Sequence, residues 1–142
     1  SAAFDGGEGI WLFDDFIFFA TKGDNRIWVY DIQSETLEVL YDLATDSNPI
    51  LSGVDNITVT DRGDVLVAED GGDMQIVVIL PDGQLKPLLQ IVGQDQSEVA
   101  GIAFSPDGRR LYFTSDRGSN QDVGGQRVGL GVTYELMLPA GL

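Results

Sequence analysis

The chain has 142 residues, of which 43% are hydrophobic, and it carries a formal net charge of −15. A chain of this length normally forms one domain, expected here over residues 1–142, and can bury a substantial core. Its acidity argues against binding to nucleic acid or to anionic membranes, and no apolar run reaches the roughly 20 residues that span a bilayer. Because cysteine and histidine are both absent, thiolate and imidazole chemistry are excluded. Any reaction must therefore use carboxylates, hydroxyls, the few cations or a bound metal.

Short apolar segments separated by polar turns predict eleven strands in three successive groups. The first group is Ile10–Phe13, Phe16–Ala20, Ile27–Asp31 and Leu37–Tyr41. The second group is Ile57–Thr60, Val65–Ala68, Gln75–Leu80 and Leu85–Leu89. The third group has only three strands: Ile102–Ser105, Arg110–Thr114 and Val132–Leu138. No longer segment has the period of a helix, so the chain is predicted to be all-β.

The three groups of strands repeat along the chain at a nearly constant spacing. Gly53 follows Gly9 by 44 residues and precedes Gly101 by 48 residues, which is the period of propeller blades. We therefore predict a β-propeller fragment of three four-stranded blades at about 8–43, 53–92 and 98–138, half of a six-bladed ring. Asp116–Gly131, between the last two strands, is expected to be an irregular loop.

The third blade lacks an outer strand, and the N-terminal strand Ala2–Phe4 is predicted to complete it. Three blades cannot close a ring, because propellers have roughly four to eight. The missing blades would come from a second copy or from the remainder of a longer chain. We favour a homodimer, because an isolated half-ring would leave two apolar blade faces exposed.

A carboxylate opens or precedes each repeat, at Glu8, Asp55 and Glu98. First strands of blades line the central channel of a propeller, so these side chains are candidate metal ligands. Asp55 and Asn56 together offer two hard oxygen atoms, which suits calcium, although an Asx turn explains the same pair. Glu69 ends a second strand and is a further candidate, with a charged hairpin as the alternative. The sequence thus predicts a calcium site at the strand entrances.

Lys22 and Arg117 each follow the second strand of a blade. Lysine binds phosphate as a point charge and arginine binds it through two parallel hydrogen bonds. With only eight cations in the chain, these two are the candidates for binding a small anionic substrate.

Several segments resemble the C-terminal part of the bacterial PhoX-type alkaline phosphatase family. They are Gly7–Trp11, Thr21–Asn25, Gly53–Asn56, Ala68–Asp73, Ser105–Phe113 and Gly131–Glu135. The resemblance implies a periplasmic or secreted propeller phosphomonoesterase that uses calcium and iron. It also implies that Glu8, Asp55 and Glu98 are metal ligands, with Glu69 or Asp70 close by.

Two features of the family have no counterpart in this sequence. Members carry an arginine two residues before the glutamate matched by Glu8, where this chain has Gly6, and they use a cysteine at the iron centre. The sequence therefore leaves three functions open: a metal-dependent phosphoric monoester hydrolase, a non-catalytic calcium-binding propeller module, and a calcium-dependent hydrolase like the sugar lactonases.

Overall fold

The computed structural model describes residues 3–118, 120–124 and 126–139, and the regular elements in these ranges are thirteen β-strands. The first sheet contains β1 Gly7–Phe13, β2 Phe16–Thr21, β3 Arg26–Asp31 and β4 Thr36–Asp42. The second contains β5 Val54–Val59, β6 Val65–Glu69, β7 Gln75–Ile79 and β8 Leu85–Gln90. The third contains β9 Val99–Phe104, β10 Arg110–Ser115 and β13 Val132–Met137, and a separate hairpin pairs β11 Asn120–Val123 with β12 Gln126–Gly129.

The sheets are antiparallel meanders, which is the form of propeller blades, so the predicted all-β propeller is confirmed. All eleven predicted strands are present. The prediction of an irregular loop over Asp116–Gly131 is wrong, because β11 and β12 pair there as an antiparallel hairpin. The described part of the chain forms an open arc of three blades.

The predicted closing strand lies partly outside the described residues, which begin after Ala2. Ala3 and Phe4 are not part of a strand. The Phe4 ring instead packs edge-on against Phe19 and Trp28 of its own first blade, at centroid distances of 5.2 and 5.4 Å. Completion of a third blade by a second copy stays a prediction.

Two apolar layers hold the three blades together. Phe18, Ile27 and Tyr41 of the first blade pack against the second blade, whose contribution includes Val67 and Val77. The other face of the second blade packs against the third in a layer that includes Leu66, Ala68, Met74, Ile76, Val99, Leu111 and Phe113. The second blade is thus covered on both faces, and its strand β6 is buried along its whole length.

The first strand of each blade contains one extra residue, after the first pair with the second strand in β1 and β5 and after the second pair in β9. β1, β5 and β9 each advance three residues while the neighbouring strand advances two. Such bulges redirect side chains and are common beside functional sites. The inner strands approach closely here: a Cβ on Gly9 would lie 2.5 Å from the backbone nitrogen of Ile57, so β1 and β5 meet only because residue 9 is glycine.

Backbone hydrogen bonds define which residues of the three blades are equivalent. The carbonyls of Gly6, Gly53 and Glu98 accept bonds from the amides that follow β2, β6 and β10, at 2.7, 2.8 and 3.0 Å. The true spacing is therefore 47 and then 45 residues. It makes Glu8 equivalent to Asp55, whereas Glu98 lies two residues earlier in its own repeat.

Candidate metal centre

Three carboxylates from the second and third blades meet at one edge of the arc. Asp55, Asp70 and Glu98 each present an oxygen atom, and these atoms lie within 4.8 Å of one another. Asp55 lies in the bulge of β5, while Asp70 and Glu98 form an isolated antiparallel bridge between the end of one blade and the start of the next. Their side chains are 13%, 20% and 26% exposed, so the group is reachable from solvent.

Lys22 reaches this group from the first blade. Its ammonium donates to Oδ2 of Asp70 and lies 3.6 Å from Oδ2 of Asp55. The hydrogen bond to Asp70 raises the pKa of Lys22, and the charges of Asp70, Asp55 and Glu8 add to this effect while burial opposes it. Lys22 is therefore a firmly protonated cation at the edge of the cluster.

Arg117 reaches the same carboxylates from the third blade. Its guanidinium donates from Nη2 to Asp70 at 2.9 Å and from Nη1 to Glu98 at 3.1 Å. Its Nε donates to the carbonyl of Gln96 at 3.1 Å, and its backbone amide donates to Oγ of the buried Ser97 at 2.9 Å. These contacts orient the guanidinium while its side chain stays 49% exposed.

Asn56 joins the second and third blades beside the cluster. Its Nδ2 donates to Oδ1 of Asp55, and its Oδ1 accepts the backbone amide of Gly101 at 3.2 Å. Both ends of this carboxamide are thus engaged in positioning the bulges of β5 and β9. A role for Asn56 as a metal ligand stays a prediction.

Glu69 is fully buried and is not brought together with the three carboxylates. Its Oε1 accepts the amide of Ser52 at 2.8 Å and its Oε2 accepts the amide of Gln75 at 2.9 Å. Burial raises the pKa of Glu69, while these two hydrogen bonds oppose the increase. The geometry therefore gives Glu69 a structural role, as an anchor for the segments on either side of its blade.

Glu8 is exposed and is absent from the group whose oxygen atoms meet. Its charge acts on Lys22, which places it near the cluster without making it a member. From the sequence, Asp70 is expected only as a neighbour of the metal ligands, both as one of the acids that end the second strand and through the family resemblance, yet Asp70 contacts both cations. Successive strand residues point to opposite sides, so Glu69 and Asp70 cannot both face one site. Because β6 is buried on both faces, its sequence does not alternate between apolar and polar residues, and it could not show whether Glu69 or Asp70 faces the cluster.

The donor set consists of hard oxygen atoms, which suits divalent cations such as calcium. Four carboxylates face two cations, because Asp116 also lies 3.7 Å from Nη1 of Arg117, so the local formal charge is −2 when all six groups are ionised. A further cation would relieve the remaining repulsion, whereas an anion alone would meet net negative charge.

The family assignment agrees with this arrangement. The alkaline phosphatase PhoX family matches residues 28–116, more than half of the chain. The chain belongs to the PhoX family. Members are metal-dependent phosphatases, and the matched region contains Asp55, Asp70 and Glu98 together with Asn56 and Glu69. No curated protein matches the chain.

Solved structures with similar folds are propeller-like proteins. TolB from Acinetobacter baumannii has a TM-score of 0.64 and 20% identity, over 97% of this chain and 31% of that one. The extracellular domain of a putative one-component system from Bacteroides thetaiotaomicron has a TM-score of 0.63 and 14% identity, over 81% and 15%. Tricorn protease has a TM-score of 0.54 and 19% identity, over 80% and 11%. The chain thus spans less than a third of the length of these structures, and the likeness shows the fold alone. No helix among the described residues is long and apolar enough to cross a membrane.

Proposed function

We propose that the chain is a calcium-binding propeller unit related to the PhoX metal-dependent phosphomonoesterases. The meeting of the Asp55, Asp70 and Glu98 oxygen atoms within 4.8 Å is the observation that carries this proposal. All three residues belong to one chain, so cation binding does not require a closed ring. Iron enters only through the family, whose cysteine ligand is absent here.

These residues fit a calcium ion by their chemistry. Calcium takes six to eight oxygen ligands, so water or further blades would complete its shell around three carboxylates. When bound, the cation would neutralise the carboxylates and polarise an oxygen atom of a phosphate ester. Lys22 would release at least part of its contact with Asp55 and Asp70, because metal and ammonium compete for the same oxygen atoms.

Lys22 and Arg117 are the proposed phosphate-binding cations. Because both are paired with carboxylates, we expect the metal to bind before phosphate. While both are neutralised by Asp55, Asp70 and Glu98, the site carries net negative charge and should repel phosphate. Once a divalent cation has compensated the carboxylates, the half-exposed guanidinium of Arg117 can turn its remaining donors to an anion. We therefore expect phosphate to bind only together with the metal.

The experiment is a calcium titration of the purified chain by calorimetry, followed by a phosphate titration with and without saturating calcium. Calcium binding that is lost in Glu98→Gln, and phosphate binding seen only with calcium, are the expected results. Glu35→Gln, an exposed turn residue of the first blade, is the control for the loss of one charge. Phosphate binding of equal strength in the absence of metal would contradict the proposed order.

A non-catalytic calcium-binding module is the second candidate. It is favoured by Gly6, which stands where family members carry their phosphate-holding arginine. A calcium-dependent hydrolase like the sugar lactonases is the third alternative from the sequence. Turnover of a chromogenic phosphate ester and of a lactone, each with calcium and with iron, separates the three.

A periplasmic or secreted location is proposed with the family, and one of the similar structures is an extracellular domain. Both proposed sources of further blades, a homodimer or the remainder of a longer chain, stay open at this point.

A further inference from the structure

Ser97 connects three residues of the candidate metal centre. It precedes Glu98 in the chain, and its carbonyl accepts the amide of Gly71, the residue after Asp70, at 3.1 Å. Its hydroxyl oxygen accepts the backbone amide of Arg117 at 2.9 Å. Because Ser97 is only 2% exposed, these bonds form where water competes little for them. Ser97 is thus a buried junction behind the site.

A second buried serine holds the hydroxyl group of Ser97 in place. Ser115, the last residue of β10, is fully buried, and its Oγ donates to Oγ of Ser97 at 2.7 Å. A serine oxygen has two lone pairs, and the Ser115 hydroxyl and the Arg117 amide occupy both. The loop before Ser97 is fixed as well, because the Ser97 amide donates to the carbonyl of Gln94 at 2.8 Å. The oxygen that receives the Arg117 amide therefore has a defined position.

The equivalent positions of the other blades show that a blade does not need this serine pair. The residues that end the second strands of the three blades are all polar and fully buried: Thr21, Glu69 and Ser115. In the second blade, Glu69 fills this place by accepting two backbone amides. The residue equivalent to Arg117 is a glycine in both other blades, Gly23 and Gly71. Among the three blades, the serine pair and the arginine occur together in the third.

The contacts of Arg117 differ in whether a bound metal would leave them intact. Its Nη atoms donate to Asp70 and Glu98, whose oxygen atoms a metal would take over. Its Nε donates to the carbonyl of Gln96 and its backbone amide donates to Ser97, and neither acceptor belongs to the carboxylate group. The segment of Gln96 and Ser97 would therefore orient Arg117 once the metal is bound.

We propose that Ser97, held by Ser115, is a positioning residue for phosphate binding, and this role rests on the function proposed above. It keeps the backbone of Arg117 in place, so that the guanidinium stays at the site when a metal takes its carboxylate partners. Because Nε is engaged by the carbonyl of Gln96, the two Nη atoms are left for two oxygen atoms of one phosphate group, the paired contact that arginine favours. Asp116 lies 3.7 Å from Nη1, too far for a hydrogen bond that would fix the guanidinium.

The test is a pair of calorimetric titrations of the purified chain, with calcium alone and then with inorganic phosphate in saturating calcium. Ser97→Ala removes only the hydroxyl group and should raise the dissociation constant of phosphate about tenfold, which corresponds to about 1.4 kcal/mol. Its calcium affinity should equal or exceed that of wild type, because Glu98 is unchanged and Arg117 competes less firmly for the carboxylates. Ser52→Ala is the matched control at the equivalent position of the second blade, and it should leave both constants within about twofold.

A double variant separates positioning from a general loss of structure. In the Arg117→Gln chain, Ser97→Ala should weaken phosphate binding no further, because its effect passes through Arg117. A further loss in that chain, or equal losses of calcium and phosphate affinity in Ser97→Ala, would overturn the positioning role. Ser97→Cys keeps the size of the side chain but offers a weak acceptor, and it replaces the alanine variant if circular dichroism shows that variant to be unfolded.

A measurement without phosphate keeps this role distinct from the proposed function. Nuclear magnetic resonance follows the exchange of the Arg117 Nε proton with water. This exchange should be at least about threefold faster in Ser97→Ala than in wild type and unchanged in Ser52→Ala, with or without calcium. If the wild-type chain binds no phosphate even with calcium, the proposed function fails, whereas the faster exchange would still show that Ser97 positions Arg117. Unchanged exchange in Ser97→Ala would overturn the positioning role, whatever the chain binds.

Discussion

Asp70→Asn removes the carboxylate on which both cations of the cluster converge. Lys22 and Arg117 each donate to a different oxygen of Asp70, whose side chain is 20% exposed. The substitution keeps the size of the side chain and the backbone bond from the Asp70 amide to the carbonyl of Gly53 at 2.8 Å. It therefore tests the charge of Asp70 and leaves the bridge between the blades in place.

The expected loss of stability depends on how exposed to solvent the ion pairs of Asp70 are. Solvent-exposed ion pairs contribute roughly 0.2–1 kcal/mol each, and fully buried ones cost about 3–5 kcal/mol when one partner is removed. The pairs of Asp70 are partly exposed, so we expect Asp70→Asn to lower the free energy of unfolding by about 1–2 kcal/mol. In a chain of this size that corresponds to a decrease in Tm of about 3–7 °C.

The assay is thermal unfolding followed by circular dichroism, with and without calcium. Wild-type chain should gain stability as calcium increases, because only the folded state assembles the three carboxylates. Asp70→Asn should lose most of this gain. Asp95→Asn, an exposed change of the same charge in the loop before the third blade, should keep it. The proposed role of Asp70 is wrong if Asp70→Asn keeps the full calcium response, or loses no more stability than Asp95→Asn.

Three further predictions concern the frame around the site. Gly9→Ala should destabilise the chain by more than about 2 kcal/mol in denaturant titrations, because its Cβ would meet backbone atoms, whereas Gly7→Ala, with no atom within 4 Å, should be mild. Glu69→Ala should lower the free energy of unfolding by about 2–4 kcal/mol, because two backbone amides lose their acceptor. Its calcium affinity, measured by calorimetry at a temperature where the variant is folded, should stay unchanged. The hydrogen bond from the backbone amide of Ala44 lowers the pKa of Asp42 in the folded state. The ionised Asp42 therefore stabilises the fold above its unfolded pKa of about 3.9, and this stabilisation is lost as the pH falls through its folded pKa. Asp42→Asn should therefore show a shallower loss of Tm on acidification, and an unchanged acid profile would contradict this.

Much of the fold could be predicted because apolar alternation and turn residues act locally. The Pro81–Gly83 turn, for example, correctly separates β7 from β8. The hairpin of β11 and β12 was missed, since its strands are short and polar and carry no alternation. The sequence also does not distinguish Leu66, which is buried between two blades, from Leu12, which is 63% exposed, because both are leucines in strands of similar pattern.

Only part of the candidate site could be predicted, because the sequence does not show which residues of the three repeats are equivalent. Asp55 and Glu98 lie in the cluster, and Lys22 and Arg117 lie beside it, although in this structure both cations contact carboxylates. The sequence aligns the repeats on Gly9, Gly53 and Gly101, whereas the hydrogen bonds that follow the second strands align Gly6, Gly53 and Glu98. For that reason Glu98 appeared equivalent to Glu8 and Asp55, whereas the hydrogen-bond register places it two residues earlier.

Above all, we expect one chain to bind a divalent cation through Asp55, Asp70 and Glu98. Its most direct measurement is equilibrium dialysis of the purified chain against calcium, with metal analysis of both compartments. We predict one saturable calcium ion per chain for wild type, and no saturable binding when all three carboxylates are replaced by their amides. A triple variant that still binds one calcium ion, or a folded wild-type chain that binds none, would contradict the account.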